Sequence, residues 1–268
     1  MLHAHEVDYK LFGDDMQFVE IGLDYGESII AEAGAMMYMD SNIEMDTVFG
    51  DGSNKDVNKG LMGKLVGAGK RVLTGESLFM SSFTNKSSNK NVVAFAAPYP
   101  GKILPMDLTD YNGQLTCQRD SFLCSAKGIS IDIAFQKKIG VGFFGGEGFI
   151  MQKLSGDGLI FLHAGGTVIK KELNAGEVLK IDTGCLVALT KDVNYDIQFV
   201  GNIKSALFAG EGLFLATLKG PGTVWLQSLP FSRMADRIFA ASRRAGGESK
   251  GEGSLLGNIG IGNIFGND

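Results

Sequence analysis

The run Gly146-Glu147-Gly148-Phe149-Ile150-Met151 is a Gly-Glu step leading into apolar residues, and the chain carries it three times. It occurs first as Gly75-Glu76-Ser77-Leu78-Phe79-Met80 and last as Gly210-Glu211-Gly212-Leu213-Phe214-Leu215. The steps start at 75, 146 and 210, so they are 71 and 64 residues apart. The flanks recur as well. Fifteen residues before the second and third steps stand Ile131-Asp132-Ile133-Ala134-Phe135 and Tyr195-Asp196-Ile197-Gln198-Phe199. Ten residues after them come Gly156-Asp157-Gly158-Leu159 and Gly220-Pro221-Gly222-Thr223. Further upstream, Gly26-Glu27-Ser28-Ile29-Ile30, Gly113-Gln114-Leu115-Thr116-Cys117 and Gly176-Glu177-Val178-Leu179-Lys180 match one another. Self-similarity at a nearly fixed period marks one supersecondary unit used repeatedly. The chain therefore reads as three tandem units, over 1–100, 101–164 and 165–231.

Each unit reads as all-β. Segments such as Asn91–Ala97, Gly158–His163 and Val178–Ile181 are rich in Val, Ile, Leu and Phe and are bounded by turn residues. Turn signals at roughly 8–12 residue spacing predict β-sandwich repeats, and no helices alternate with the strands as a parallel α/β fold requires. Two parts fall outside the repeat. A Gly-rich basic insert occupies 50–73. At the other end, Pro230 and Ser232 predict a helix over 232–245 with Met234, Ile238 and Phe239 on one face, followed by a flexible Gly-rich tail over 246–268.

This organisation accounts for the glycine content. The chain has 38 Gly among 268 residues, twice the usual share of roughly 7%. Eight lie in the tail, and many others recur at equivalent corners, where a tight turn needs positive φ.

The insert running into Gly75-Glu76-Ser77-Leu78-Phe79, the Phe144-Gly145-Gly146-Glu147-Gly148 and Ala209-Gly210-Glu211-Gly212 steps, and Leu213-Phe214-Leu215 leading to Gly220-Pro221-Gly222 resemble the altered-inheritance-of-mitochondria protein 24 family, the mitochondrial biogenesis family. The resemblance covers roughly residues 15 to 231. It implies a threefold-duplicated β-sandwich similar to the tryptophan RNA-binding attenuation protein fold, assembled as a homotrimer. It implies no catalytic residue. The N-terminus MLHAHEVDYK has neither the apolar stretch of a signal peptide nor the Arg-rich pattern of a transit peptide, so a prokaryotic-type, cytoplasmic member is expected.

The chemical candidates are few. Gly145-Gly146-Glu147-Gly148-Phe149 has the look of a nucleotide-cyclase loop, but equivalent steps at 75 and 210 mark it as a turn needed in every unit. Glu76, Glu147 and Glu211 share that turn position. They are read either as a carboxylate ring for a hard cation such as Ca²⁺ or Mg²⁺, or as acceptors for the backbone N–H groups of their own turns, the reading favoured. Gly67-Ala68-Gly69-Lys70-Arg71 fails as a phosphate loop, with Lys64 where a Gly is needed and Arg71 where Ser or Thr is needed. Lys59, Lys64, Lys70 and Arg71 are instead candidates for contact with a partner or an anionic membrane surface. Three His and three Cys lack metal spacing; His3 and His5 are read as part of a loosely held terminus, His163 as an edge or interface residue and the Cys as reduced core thiols. No cofactor is expected. The net charge of −5 argues against nucleic acid.

The expectation is a non-enzymatic, self-assembling β scaffold or interaction protein. The alternatives are a peripheral membrane protein using 59–73, an RNA-binding ring, and a metal-binding protein.

Overall fold

The computed structural model describes residues 3–49, 79–137, 149–199 and 214–245. Nearly all of its regular structure is β, as the alternating apolar segments predict. The first part of the chain forms β1 (Asp8–Phe12), β2 (Phe18–Leu23), β3 (Ser28–Glu32), β4 (Met36–Met39), β5 (Ile43–Phe49), β6 (Phe79–Asn85) and β7 (Asn91–Ala96). The second forms β8 (Gly101–Asp107), β9 (Gln114–Gln118), β10 (Phe122–Ala126), β11 (Ser130–Lys137), β12 (Phe149–Ser155) and β13 (Leu159–Gly165). The third forms β14 (Val168–Leu173), β15 (Val178–Asp182), β16 (Leu186–Thr190), β17 (Asn194–Phe199), β18 (Phe214–Lys219) and β19 (Gly222–Gln227). Directly after Pro230 comes α1 (Phe231–Ala245), the one α-helix among the described residues, starting one residue earlier than predicted. The β body ends at Ser232; from Arg233 the chain forms a separate unit.

One antiparallel pairing scheme occurs in all three parts. β7 joins β2 to β4, β13 joins β8 to β10, and β19 joins β14 to β16. Likewise β6 joins β5 to β3, β12 joins β11 to β9, and β18 joins β17 to β15. The register moves the middle copy of the Gly26 and Gly176 turn back by one residue. Asn112 and Gly113 are both left-handed, at φ 56° and 74°, and it is Asn112 that stands in the place of Gly26 and Gly176, because β9 starts two residues after Asn112 as β3 and β15 start two after those glycines. Asn tolerates that conformation better than other residues with a Cβ.

The strands make four sheets, in the orders β1-β2-β7-β4, β5-β6-β3-β10-β13-β8, β11-β12-β9-β16-β19-β14 and β15-β18-β17. Three apolar cores lie between successive sheets. Val19, Ile21, Val93 and Phe95 of the first sheet meet Ile29, Phe83 and Phe161 of the second. Ile30, Met80 and Leu162 of the second meet Leu115, Cys117, Leu154 and Trp225 of the third. Met151, Leu186 and Val224 of the third meet Ile197, Ala216 and Leu218 of the fourth. The neighbours Ile29 and Ile30 point to different cores, so β3 is buried on both faces. Burying each such large side chain stabilises the fold by about 1.5–3 kcal/mol.

Candidate functional site

The two inner sheets have six strands because each is joined across two parts of the chain. In the second sheet β3 pairs with β10, through Ala31↔Cys124, Ile30↔Ser125 and Ile29↔Ala126. In the third, β9 pairs with β16, through Cys117↔Ala188, Thr116↔Leu189 and Leu115↔Thr190. The outer sheets lack this join. Among the described residues β4 pairs only with β7, and β15 only with β18. The first sheet thus ends on a free β4 edge and the fourth on a free β15 edge.

Burial marks the same contrast. All five residues of β10 are buried, as are the first four of β16. β4, at the same place in the pairing scheme, is exposed throughout, with Met36 at 37%, Met37 at 55%, Tyr38 at 39% and Met39 at 37%. β3 and β9 are each buried at four of five positions, whereas β15 is buried at none, and its Val178 is 53% exposed. A sheet edge offers unpaired N–H and C=O groups, and folded proteins protect such edges with charges or proline. Edge strands β1, β5, β8, β11, β14 and β17 all carry such residues, among them Lys10, Glu44, Pro105, Asp132, Lys170 and Asp196. β4, Met-Met-Tyr-Met, carries none. Its outer face continues as an aromatic patch: Phe12 and Phe18 stack at 4.7 Å, Tyr38 lies edge-on to Phe18, and the Tyr38 hydroxyl donates to Glu20.

Near the join of β3 and β10 is a group of perturbed side chains. Glu32, at the exposed end of β3, has its carboxyl raised to about 7, mainly by desolvation and further by the Asp120 carboxylate. Arg119 opposes that shift in part and contacts Asp120 at 3.3 Å. Burial pushes the Tyr99 hydroxyl up to about 12. Edge-on to Tyr99 at 4.4 Å lies the ring of His163, 1% exposed, with neither nitrogen hydrogen-bonded among the described residues. Desolvation lowers its pKa to about 4. His163 is therefore not the edge residue its place near the end of an apolar run suggests, because β13 is flanked on both sides by β10 and β8. Its counterpart in β19, Gln227, is fully engaged: its side-chain oxygen accepts from Gly165 N–H and its amide donates to the Gly184 carbonyl, each at 2.7 Å.

The N-terminal strap bridges the first and second parts. Asp157 accepts from Ala4 N–H at 2.8 Å and lies 2.6 Å from His3 Nδ1. His5 N–H donates to the Lys127 carbonyl, and His5 Nδ1 accepts from Ser28 N–H at 2.8 Å.

Glu76, Glu147 and Glu211 lie in the segments joining β5 to β6, β11 to β12 and β17 to β18, outside the described residues, as do Lys59, Lys64, Lys70 and Arg71. The Gly-Glu steps that are described, at Glu27 and Glu177, keep their carboxylates local, accepting from Asp24 N–H at 2.7 Å and Asn174 N–H at 2.9 Å. Cys117 and Cys124 are buried, with their thiols pushed far up by desolvation. Cys185 is half-buried in the 3-10 turn Thr183–Cys185 rather than in a core strand. Among the described residues no helix is long and apolar enough to cross a membrane.

Neither β4 nor β15 draws attention in the sequence as a functional element. The signal is present nonetheless. Four large uncharged residues in succession read as a strand buried on both faces, and here the strand is exposed.

Three comparisons place the chain among known proteins. The family model described as mitochondrial biogenesis AIM24 matches residues 9–229. An uncharacterized protein of Streptococcus pyogenes serotype M6 is 30% identical over 229 residues, covering 83% of this chain and 86% of that protein. A crystal structure of a Streptococcus pyogenes protein has the same fold, with a TM-score of 0.69 at 24% identity over 88% of this chain and 100% of that one.

Proposed function

The chain belongs to the mitochondrial biogenesis AIM24 family, and from that premise we propose that it is a non-enzymatic scaffold that assembles with further copies of itself. Its building block is one six-stranded β unit used three times, a reading supported by the pairing scheme that recurs in β2–β7, β8–β13 and β14–β19. The observation that carries the proposal is the pair of incomplete outer sheets. The fourth sheet, β15-β18-β17, matches the half of an inner sheet that ends at β3 or β9. The strands β2, β7 and β4 match the half that begins at β10 or β16. One copy's fourth sheet and the next copy's first sheet together make a seven-stranded sheet, six strands of the inner kind with β1 added at the edge.

Burying the β4 side chains from their present 37–55% exposure contributes roughly 1 kcal/mol each, and each ladder hydrogen bond about the same. A head-to-tail contact of this type closes into a ring or runs on as a filament, and the family resemblance favours a homotrimer.

Size-exclusion chromatography with light scattering tests the reading. Three copies of a 28.6 kDa chain give roughly 86 kDa. A monomer at micromolar concentration overturns the assembly.

A further inference from the structure

We infer that the contact between copies is a third instance of the internal strand join, in which β15 of one copy pairs antiparallel with β4 of the next, with Ile181 opposite Tyr38, Lys180 opposite Met39 and Leu179 opposite Asp40. This rests on the self-assembly reading above and adds the surface and the register.

The register follows from positions already paired. Phe122, Cys124 and Ser125 of β10 lie opposite Leu162, Phe161 and Ile160 of β13. Leu186, Ala188 and Leu189 of β16 lie opposite Leu226, Trp225 and Val224 of β19. In β4, Met36, Tyr38 and Met39 lie opposite Phe95, Ala94 and Val93 of β7. All three strands skip one residue at the same step, after Met36, Phe122 and Leu186. Tyr38 thus corresponds to Cys124 and Ala188, and Met39 to Ser125 and Leu189. On the other side, Leu179, Lys180 and Ile181 of β15 pair with Leu218, Thr217 and Ala216 of β18, just as Leu115, Thr116 and Cys117 of β9 pair with Leu154, Lys153 and Gln152 of β12. Ile181 therefore corresponds to Ala31 and Cys117, and Lys180 to Ile30 and Thr116. Carrying Ala31↔Cys124 and Cys117↔Ala188 over to the free edges gives Ile181↔Tyr38.

Chemistry agrees with the geometry. The internal joins need only three residue pairs each, and Tyr38, Met39 and Asp40 supply three consecutive positions to match them. β4 is the one edge strand among the described residues without a charge or proline. Lys180 lays its aliphatic stem along Met39 and keeps its ammonium at the rim.

The test is a charge exchange read by light scattering. Met39→Lys sets a cation directly against Lys180 of the neighbouring copy and is expected to weaken association at least about tenfold. Adding Lys180→Glu to the same chain is expected to restore the assembly, since every junction then pairs opposite charges. An undisturbed assembly in Met39→Lys, or a dispersed one in the double variant, overturns the register. A parent chain that is monomeric from the outset instead overturns the assembly reading itself. Should Met39→Lys lose its β circular dichroism, Tyr38→Cys with Ile181→Cys in a Cys185→Ser background decides. A short thiol cross-linker joining copies supports the register, and its failure while Tyr38→Cys with Leu179→Cys links efficiently refutes it.

Discussion

The buried imidazole of His163 makes a quantitative prediction about stability and pH. The ring is 1% exposed and held by desolvation at a pKa of about 4, against an ordinary value of about 6.5, with the Tyr99 backbone opposing the shift only in part. In the unfolded chain it takes up a proton as the pH falls through 6.5, whereas in the folded chain it stays neutral until about 4. Acidification over that window therefore favours the unfolded state. The difference of about 2.5 pKa units, at about 1.36 kcal/mol each, comes to about 3 kcal/mol lost between pH 6.5 and pH 4, with no effect above pH 7. His163→Gln, the residue found at the matching place in β19, removes the titration. Urea unfolding of both proteins in half-unit steps from pH 7.5 to pH 4 isolates the contribution, because all other titrating groups are common to the two. The parent is expected to lose about 3 kcal/mol more than the variant over this range. Parallel curves would show that the imidazole is not held neutral by burial and would refute the reasoning.

Three further predictions concern single positions. Glu32 has the opposite sign: its folded carboxyl titrates near 7 and its unfolded one near 4.5, so stability is lost as the pH rises between them, and Glu32→Gln is expected to melt above the parent at pH 8 but not at pH 4. A lower melting point at pH 8 would show that the ionised carboxylate is needed. Asn112→Val, forced to φ 56°, is expected to cost about 1–2 kcal/mol in denaturant unfolding, while Asn112→Gly stays close to the parent; equal losses would contradict the left-handed assignment. Asp157→Ala removes the acceptor of Ala4 N–H, and hydrogen exchange at that amide is expected to quicken while exchange in β12 stays unchanged. Unaltered exchange at Ala4 would mean that the strap is held elsewhere.

How far the molecule is legible in its sequence depends on the range of the interactions involved. Strand identity follows from local alternation: Val19, Ile21 and Leu23 face a core and Phe18, Glu20 and Gly22 do not, a period of two visible without any structure. Corners are legible where glycine supplies positive φ, as at Gly26 and Gly176. They are misplaced by one residue where Asn112 does the same work beside a more conspicuous Gly113. Burial of a single polar residue leaves no local trace, so His163 reads as an edge residue although β13 lies between β10 and β8, with Ile103 of β8 opposite it. The repeated Glu76, Glu147 and Glu211 remain the clearest pattern in the sequence and lie outside the described residues.

By itself the sequence determines an all-β chain with one short helix near its end, because hydrophobic period and turn chemistry act over a few residues. Only the tertiary structure decides which edges are left open. The join of β3 to β10 pairs Ala31 with Cys124, residues 93 positions apart, and β9 joins β16 across a comparable span. Such pairing depends on where distant strands are carried by the sheets around them. With strands before and after it, each join buries its apolar residues. At the two ends of the series no strand among the described residues pairs with the outer edge, and there Met36–Met39 is exposed and Val178–Asp182 is not buried at any position.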